Sequence, residues 1–379
     1  MTILIFNTDI RGHHLEYFYN TYCEAIKHKE HKYIYAIPSE FHTLKNQYNW
    51  PPCENVIFDT DNDYSKCRSG NEYIRAWHIS RLICKIIKRH KPDAVFLIIL
   101  MQAMPFLPFL LPRNIKLHGI VYDLPRYETR IGQKLRDTLY LRILAASHSV
   151  GKVFILNDKS VADELNRKMH DDKFAFLSDP AQRIDMAQIS NIRDELGAKV
   201  GDKIFLHFGG LGLRKGTLEI MKAIELLPQR TLDKSLFVFS GRVNNDIKNE
   251  FYRRLDTLKS KTRIVVYDGF CDSSFLYNLC YSCDYILMPY LQSYRSSGVV
   301  GYASFFSKPV LGPSDGLIGQ LIMDYKLGWT VDKVNGATLA EKIIEMAEND
   351  DQHDLTEYAV THTVDDFTKV IFDGINGAL

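Results

Sequence analysis

Phe205-Leu206-His207-Phe208-Gly209-Gly210-Leu211-Gly212-Leu213-Arg214-Lys215-Gly216 runs directly into a stretch of helical period, residues 217–227. An apolar strand hands the chain to glycines that let the backbone approach a ligand, and two adjacent cations stand where a helix begins. Glycine amides, a helix N-terminus and fixed positive charge together favour a phosphate or pyrophosphate. The spacing is not the Walker pattern, because glycine follows the lysine and the first glycines come too late. Nor is it a dinucleotide fingerprint, since it opens the second half of the chain without the usual glycine order. The competing reading is a plain strand–helix turn with solvated charges. A charged residue at such a junction is expected to be exposed.

Outward from this loop, apolar runs of strand length alternate with helical patterns, which predicts parallel α/β layers. In the first half the strands fall at 3–7, 33–37, 56–58, 94–99, 116–121 and 153–156, with helices at 14–26, 72–90, 133–146 and 159–166. A polar stretch around Leu177-Ser178-Asp179-Pro180 breaks the pattern. A second series opens with a helix near 190–196 and has strands at 203–208, 235–240, 263–267, 285–288 and 309–312. Two Rossmann-like, doubly wound parallel sheets facing a cleft are the economical reading. Their expected bounds are 1–182 and 183–358, with a tail, 359–379, crossing back to the first. In that tail Val364, Phe367, Val370, Ile371 and Ile375 recur at helical spacing, and Phe367, Ile371 or both are expected to meet residues before position 180.

Composition is that of an ordinary globular protein: 379 residues, 46% hydrophobic, 25% charged, formal net charge +1. Such a balance gives no global field for nucleic acid. Seven cysteines are odd in number, and Cys280-Tyr281-Ser282-Cys283 lies in a helical pattern with no second pair, so reduced cytosolic thiols are expected. Met1 leads straight into the first strand without a basic leader segment, so no signal peptide is expected. Residues 94–112 are apolar, but Pro105, Pro108 and Pro112 interrupt any membrane-spanning helix. Just upstream, Ile79, Leu82, Ile83, Ile86 and Ile87 form one face of a helix, with Arg81, Lys85, Lys88 and Arg89 opposite. That basic helix, 72–91, either covers a sheet or makes peripheral contact with anionic lipid.

Ligands of doubly wound sheets sit beyond the carboxyl ends of the strands. The segments found there are Gly12-His13-His14 after the first strand, Tyr122-Asp123 after the fifth, and Asp268-Gly269-Phe270 and Tyr294-Arg295-Ser296-Ser297-Gly298 in the second half. Their convergence on one cleft carries more weight than any single motif.

These segments resemble retaining glycosyltransferases of the GT-B fold, specifically glycosyltransferase family 4. Residues 209–216 look like that family's phosphate loop, Asp268-Gly269-Phe270 its nucleobase loop, Ser307-Lys308-Pro309-Val310-Leu311 its Gly-x-Pro-Val strand, and residues 12–17 the acceptor loop of a subset. The resemblance implies a hexosyltransferase-type enzyme moving a sugar from a nucleotide-diphosphate donor to a hydroxyl acceptor: a polysaccharide, a glycolipid or a lipid-linked intermediate. Lys215, Arg214 and Asp123 take the catalytic positions. Gly210, Gly269, Phe270, Tyr294, Ser296, Ser297 and Gly298 would bind donor, and Gly12, His13, His14 and Tyr122 acceptor. No cofactor and no metal are expected, and the location would be the cytoplasm or the inner face of the cytoplasmic membrane. Two glutamates usual in the family are replaced by Tyr294 and Tyr302, and a family histidine by Tyr122. A GT-B sugar-nucleotide epimerase or an inactive scaffold are the alternatives. Asp59-Thr60-Asp61 matches the metal-binding Asp-x-Asp signature of another glycosyltransferase fold, but Asn62 and Asp63 make it an acidic turn. His118, mid-strand, reads as a satisfied core histidine.

Overall fold

The computed structural model describes residues 1–9, 13–44, 49–122, 124–128, 130–181, 184–348 and 354–379, without the side chains of His13 and Leu44. It divides into two compact units: Met1–Asp179 with Val364–Leu379, and Pro180–Thr363.

The first unit holds β1 (Thr2–Phe6), β2 (Lys32–Ala36), β3 (Val56–Asp59), β4 (Ala94–Leu97), β5 (Lys116–Val121), β6 (Val150–Leu156) and β7 (Phe174–Leu177). Their order is β3-β2-β1-β4-β5-β6-β7, and every pairing is parallel. A parallel sheet is covered on both faces, so its strands are continuous apolar runs, as Ala94-Val95-Phe96-Leu97 is. Alternation along each strand then separates two cores. Leu4, Val95, Leu97, Val153 and Ile155 face Ile79, Ile83 and Ile86 of the helix Glu72–His90 and Leu141 and Leu144 of the helix Ile131–Ala146. Ile3, Ile5, Phe96 and Phe154 face Phe18 and Tyr22 of the helix His13–Ala25 and Phe367 and Ile371 of the tail helix Val364–Asn376. Phe367 lies 5.0 Å from the Tyr17 ring, so the last helix of the chain belongs to the first unit.

The second unit holds β8 (Lys203–Phe208), β9 (Ser235–Ser240), β10 (Arg263–Tyr267), β11 (Tyr285–Leu287), β12 (Val310–Pro313) and β13 (Gly328–Val331), in the parallel order β10-β9-β8-β11-β12-β13. Each sheet therefore starts at its centre and winds first to one side, then to the other.

Three elements differ from the sequence expectation. β7 and β13 are four-residue edge strands, too short and too half-buried to show a periodic signal. The helix expected near 190–196 is a single turn, with Leu196 N donating to Ile192 O at 3.0 Å. Ile192 N is taken by Ser282 Oγ at 2.8 Å, and the Arg193 guanidinium is drawn to Asp284 and to the Asp202 carbonyl. Side-chain partners for the backbone here outcompete a helix of so few residues.

Candidate functional site

β8 delivers the chain at Phe208 into the glycine loop, which turns through a 3-10 segment, Leu213–Lys215, into the helix Thr217–Leu226. Gly216 joins them with φ of +69°, and a Cβ there would strike the Pro289 carbonyl oxygen. Only glycine serves both the left-handed φ and that close approach. Lys215 folds back over the loop. Its Nζ donates to the Phe208 carbonyl at 3.1 Å and stands 5.2 Å from the centre of the Tyr290 ring, in the space a side chain on Gly209 would fill. Contrary to the exposed position expected, Lys215 is 8% exposed, because Tyr290 roofs it.

Among the described residues no carboxylate lies within ion-pair distance of that ammonium. Arg214, exposed, sits 5.6 Å from the same ring and makes no side-chain hydrogen bond among the described residues. The Tyr290 hydroxyl is 3.0 Å from Ser297 Oγ, which also accepts from Val299 N and caps the helix Gly298–Phe305. One buried ring thus gathers Lys215, Arg214 and the start of a helix at Ser297-Gly298. Buried cations are ordinarily paired, so this grouping is suited to an anion.

Beneath the loop runs a fixed relay. His207, buried, has Nδ1 2.7 Å from the Leu287 carbonyl, so that nitrogen carries the proton. Its Nε2 then accepts from Thr217 Oγ1 at 2.9 Å, and the same hydroxyl accepts from Gly212 N at 3.1 Å. Burial, with Lys215 adding to it, pushes the imidazole pKa down to about 3 and keeps it neutral. β8, β11 and the glycine loop are tied together by one uncharged network.

The remaining donor-side candidates are spread around this centre. Phe270 is 92% exposed beside Gly269. Asp268, preceding them, is committed to structure: it accepts from the Tyr252 hydroxyl at 2.5 Å and from Val243 N at 2.8 Å, and these bonds hold its carboxyl below the usual range. Tyr294 donates to Gln292 Oε1 at 3.2 Å under the Arg295 guanidinium. Tyr302 packs against Phe208 and Tyr277. Neither tyrosine offers the carboxylate the resemblance calls for. Gly210 is exposed at the loop crown, and Ser296 precedes the Ser297 cap.

In the first unit, Gly12, the His13 side chain and Asp123 lie outside the described residues. His14 places its ring edge-on to Tyr122 at 5.2 Å, and Tyr17 stacks on Tyr122 at 6.2 Å while donating to Asp179. Burial, reinforced by the Asp179 charge, raises both phenols well above the usual range. Asp59 of the acidic turn is 4% exposed, with both oxygens bound by Arg89 Nη1 at 3.0 Å and one by His90 at 2.8 Å. Its role is to hold β3 against the end of the helix Glu72–His90. His118 accepts from Lys152 N at 3.0 Å through Nδ1, and burial lowers its pKa to about 4.

No protein-family model matches the chain, nor does any curated protein sequence. Solved structures do match. The Anabaena protein HepE, crystallised with UDP and glucose, superposes with a TM-score of 0.71 at 14% identity over 100% of both chains. WaaG, a glycosyltransferase involved in lipopolysaccharide biosynthesis, gives 0.68 at 16% identity, again over 100% of both chains. A Listeria monocytogenes protein provisionally assigned as a UDP-N-acetylglucosamine 2-epimerase gives 0.68 at 14% identity, over 100% of this chain and 96% of that one. The fold is GT-B.

The donor-side candidates of this GT-B chain follow the carboxyl ends of strands in the second unit's sheet, where open α/β sheets bind ligands. Tyr290, Thr217 and His207 are the contributors that sequence reasoning did not single out; Tyr17 and Asp179 are their counterparts in the first unit. The pairing of a glycine loop with a threonine one residue after Lys-Gly is the local signal that could have flagged Thr217. Nothing local marks Tyr290, which reaches Lys215 only through the fold. No helix among the described residues is long and apolar enough to cross a membrane.

Proposed function

We propose that the chain is a glycosyltransferase that moves a sugar from a nucleotide-diphosphate donor to a hydroxyl acceptor with retention at the anomeric carbon. The observation that carries this reading is Lys215: a buried ammonium held by a carbonyl and a ring rather than a carboxylate, at the mouth of a glycine loop. In a glycosyl transfer the leaving diphosphate gathers negative charge, and fixed cations aimed at it stabilise the transition state. Lys215 and Arg214 supply that charge without a metal. Gly210, Ser296, Ser297 and Gly298 would line the phosphates and sugar, with Tyr294 beside them, and Gly269 and Phe270 would border the base. Gly12, His13, His14, Tyr122 and Asp123 would serve a glycan or lipid-linked acceptor. No protein nucleophile is required. The work would be done in the cytoplasm, at or near the inner face of its membrane. UDP and glucose bound to HepE support a nucleotide-sugar donor for a chain of this fold.

The Listeria neighbour favours one second reading, a sugar-nucleotide epimerase. Interconversion of the donor without an acceptor separates the two. Thermal unfolding against UDP-, GDP-, ADP- and CMP-linked sugars tests the shared pocket: a ligand at a hundred times its Kd adds about 2.7 kcal/mol and raises Tm selectively for one base. Turnover on that donor is expected to survive EDTA and the substitution Asp61→Asn. A flat response across the panel, or activity restored only by Mg²⁺ or Mn²⁺, overturns the reading.

A further inference from the structure

The residues that follow β11 dock on the turn that carries the two cations. The Pro289 carbonyl faces Gly216 so closely that a Cβ there would strike it. Leu291 N donates to the Arg214 carbonyl at 2.9 Å. Between these contacts, Tyr290 N donates to the Met288 carbonyl at 2.8 Å, which fixes the backbone from which the ring projects. Backbone contacts on either side of Tyr290 thus join the two segments without its side chain. The ring, 2% exposed, is left to act on the cations.

Arg214 and Lys215 are neighbours of like charge, and the lysine is buried. Mutual repulsion and the desolvation of the ammonium both favour an arrangement in which Lys215 swings out to water. An ammonium has three donors and no acceptor. One goes to the Phe208 carbonyl, and among the described residues no carboxylate takes another. The face of an aromatic ring is negative and attracts a cation more strongly where water is excluded. Lys215 Nζ lies 5.2 Å and Arg214 Cζ 5.6 Å from the centre of the Tyr290 ring, so one face serves both charges. A carboxylate in that place would neutralise the cations and repel a phosphate; the ring holds them and leaves their charge available. At its far end the hydroxyl stands 3.0 Å from Ser297 Oγ, which caps the helix Gly298–Phe305.

We infer that Tyr290 is a positioning residue that holds Lys215 and Arg214 in place before an anion arrives, and so removes from binding the cost of ordering them. It acts through Lys215 rather than on the donor itself. The inference rests on the reading of the glycine loop as a diphosphate site.

A double-mutant cycle tests it. Calorimetric titration of the whole chain with UDP, GDP, ADP and CDP selects the nucleoside diphosphate bound most tightly. That ligand is then the probe for Lys215→Met, Tyr290→Leu and the two combined. Tyr290→Leu should weaken binding about tenfold in the parent chain. Once Lys215 is methionine the loss should be less than about threefold, because the ring then has only Arg214 to hold. A merely structural role would give the same loss in both backgrounds. Tyr290→Phe keeps the ring and loses only the hydroxyl, so most of the affinity should return. Tyr290→Met takes the place of leucine in the cycle if leucine lowers Tm too far for titration. Equal losses in both backgrounds, no loss without the ring, or a phenylalanine variant as weak as leucine overturns the inference. If the parent chain binds none of the four diphosphates, the diphosphate reading of the loop fails first, and the inference with it.

Discussion

Replacing Thr217 by valine isolates the relay under the glycine loop. The side chain is fully buried, and valine keeps its shape while removing the hydroxyl that donates to His207 Nε2 and accepts from Gly212 N. Two buried polar groups lose their partner. At about 1–3 kcal/mol for each group left unsatisfied, the expected loss is about 2–6 kcal/mol. Thr217→Ser keeps both bonds and removes one methyl, which costs about 1 kcal/mol. Urea unfolding of the two variants beside the parent chain gives the difference directly through the midpoint at constant slope. Donor affinity should follow the same order, because Gly212 lies within the loop proposed to hold the phosphates. If valine is as stable as serine and binds donor as well, the relay does not position the loop and the argument built on it fails.

Other consequences are independent of that network. Phe367→Ala should cost about 3–5 kcal/mol, as expected for a fully buried ring packed on Tyr17, and calorimetry would detect it as a lower Tm; a change under 1 kcal/mol would contradict the packing of the tail helix on the first unit. The lowered His118 pKa, about 4 against the ordinary 6.5, means the unfolded chain binds a proton that the folded chain refuses between those values. Stability from this residue is therefore complete above about pH 6.5 and falls as pH drops toward 4, by about 2–3 kcal/mol near pH 4.5. His118→Asn, which still offers an oxygen to Lys152 N, should flatten that part of the stability–pH curve; an unchanged curve would show that His118 titrates normally.

Strand–helix alternation, glycine punctuation and the single polar break near Asp179 made the GT-B architecture legible, because parallel strands buried on both faces are written as short apolar runs. β7 and β13, four-residue edge strands, escaped notice, whereas the other two edge strands, β3 and β10, were legible. In the glycine loop, Lys215 and Arg214 could be chosen from sequence. Their environment could not: the ring that roofs Lys215 comes from Tyr290, seventy-five residues later, and the relay that braces the loop joins β8 to the carbonyl of Leu287. Helical period likewise marked residues 72–90 as amphipathic but could not say that the apolar stripe was already spent on the sheet. The exposed row Ile131, Leu135 and Leu139 stands out only once burial is known.

Steady-state turnover of Lys215→Met on the donor selected by thermal shift tests the central claim most directly. Methionine keeps the stem beneath Tyr290 and removes only the ammonium, so the fold and Tm should be retained. If Lys215 stabilises charge on the leaving diphosphate, kcat/KM falls about a hundredfold or more, at about 3 kcal/mol of lost transition-state stabilisation. Turnover within a few-fold of the parent chain would contradict the account.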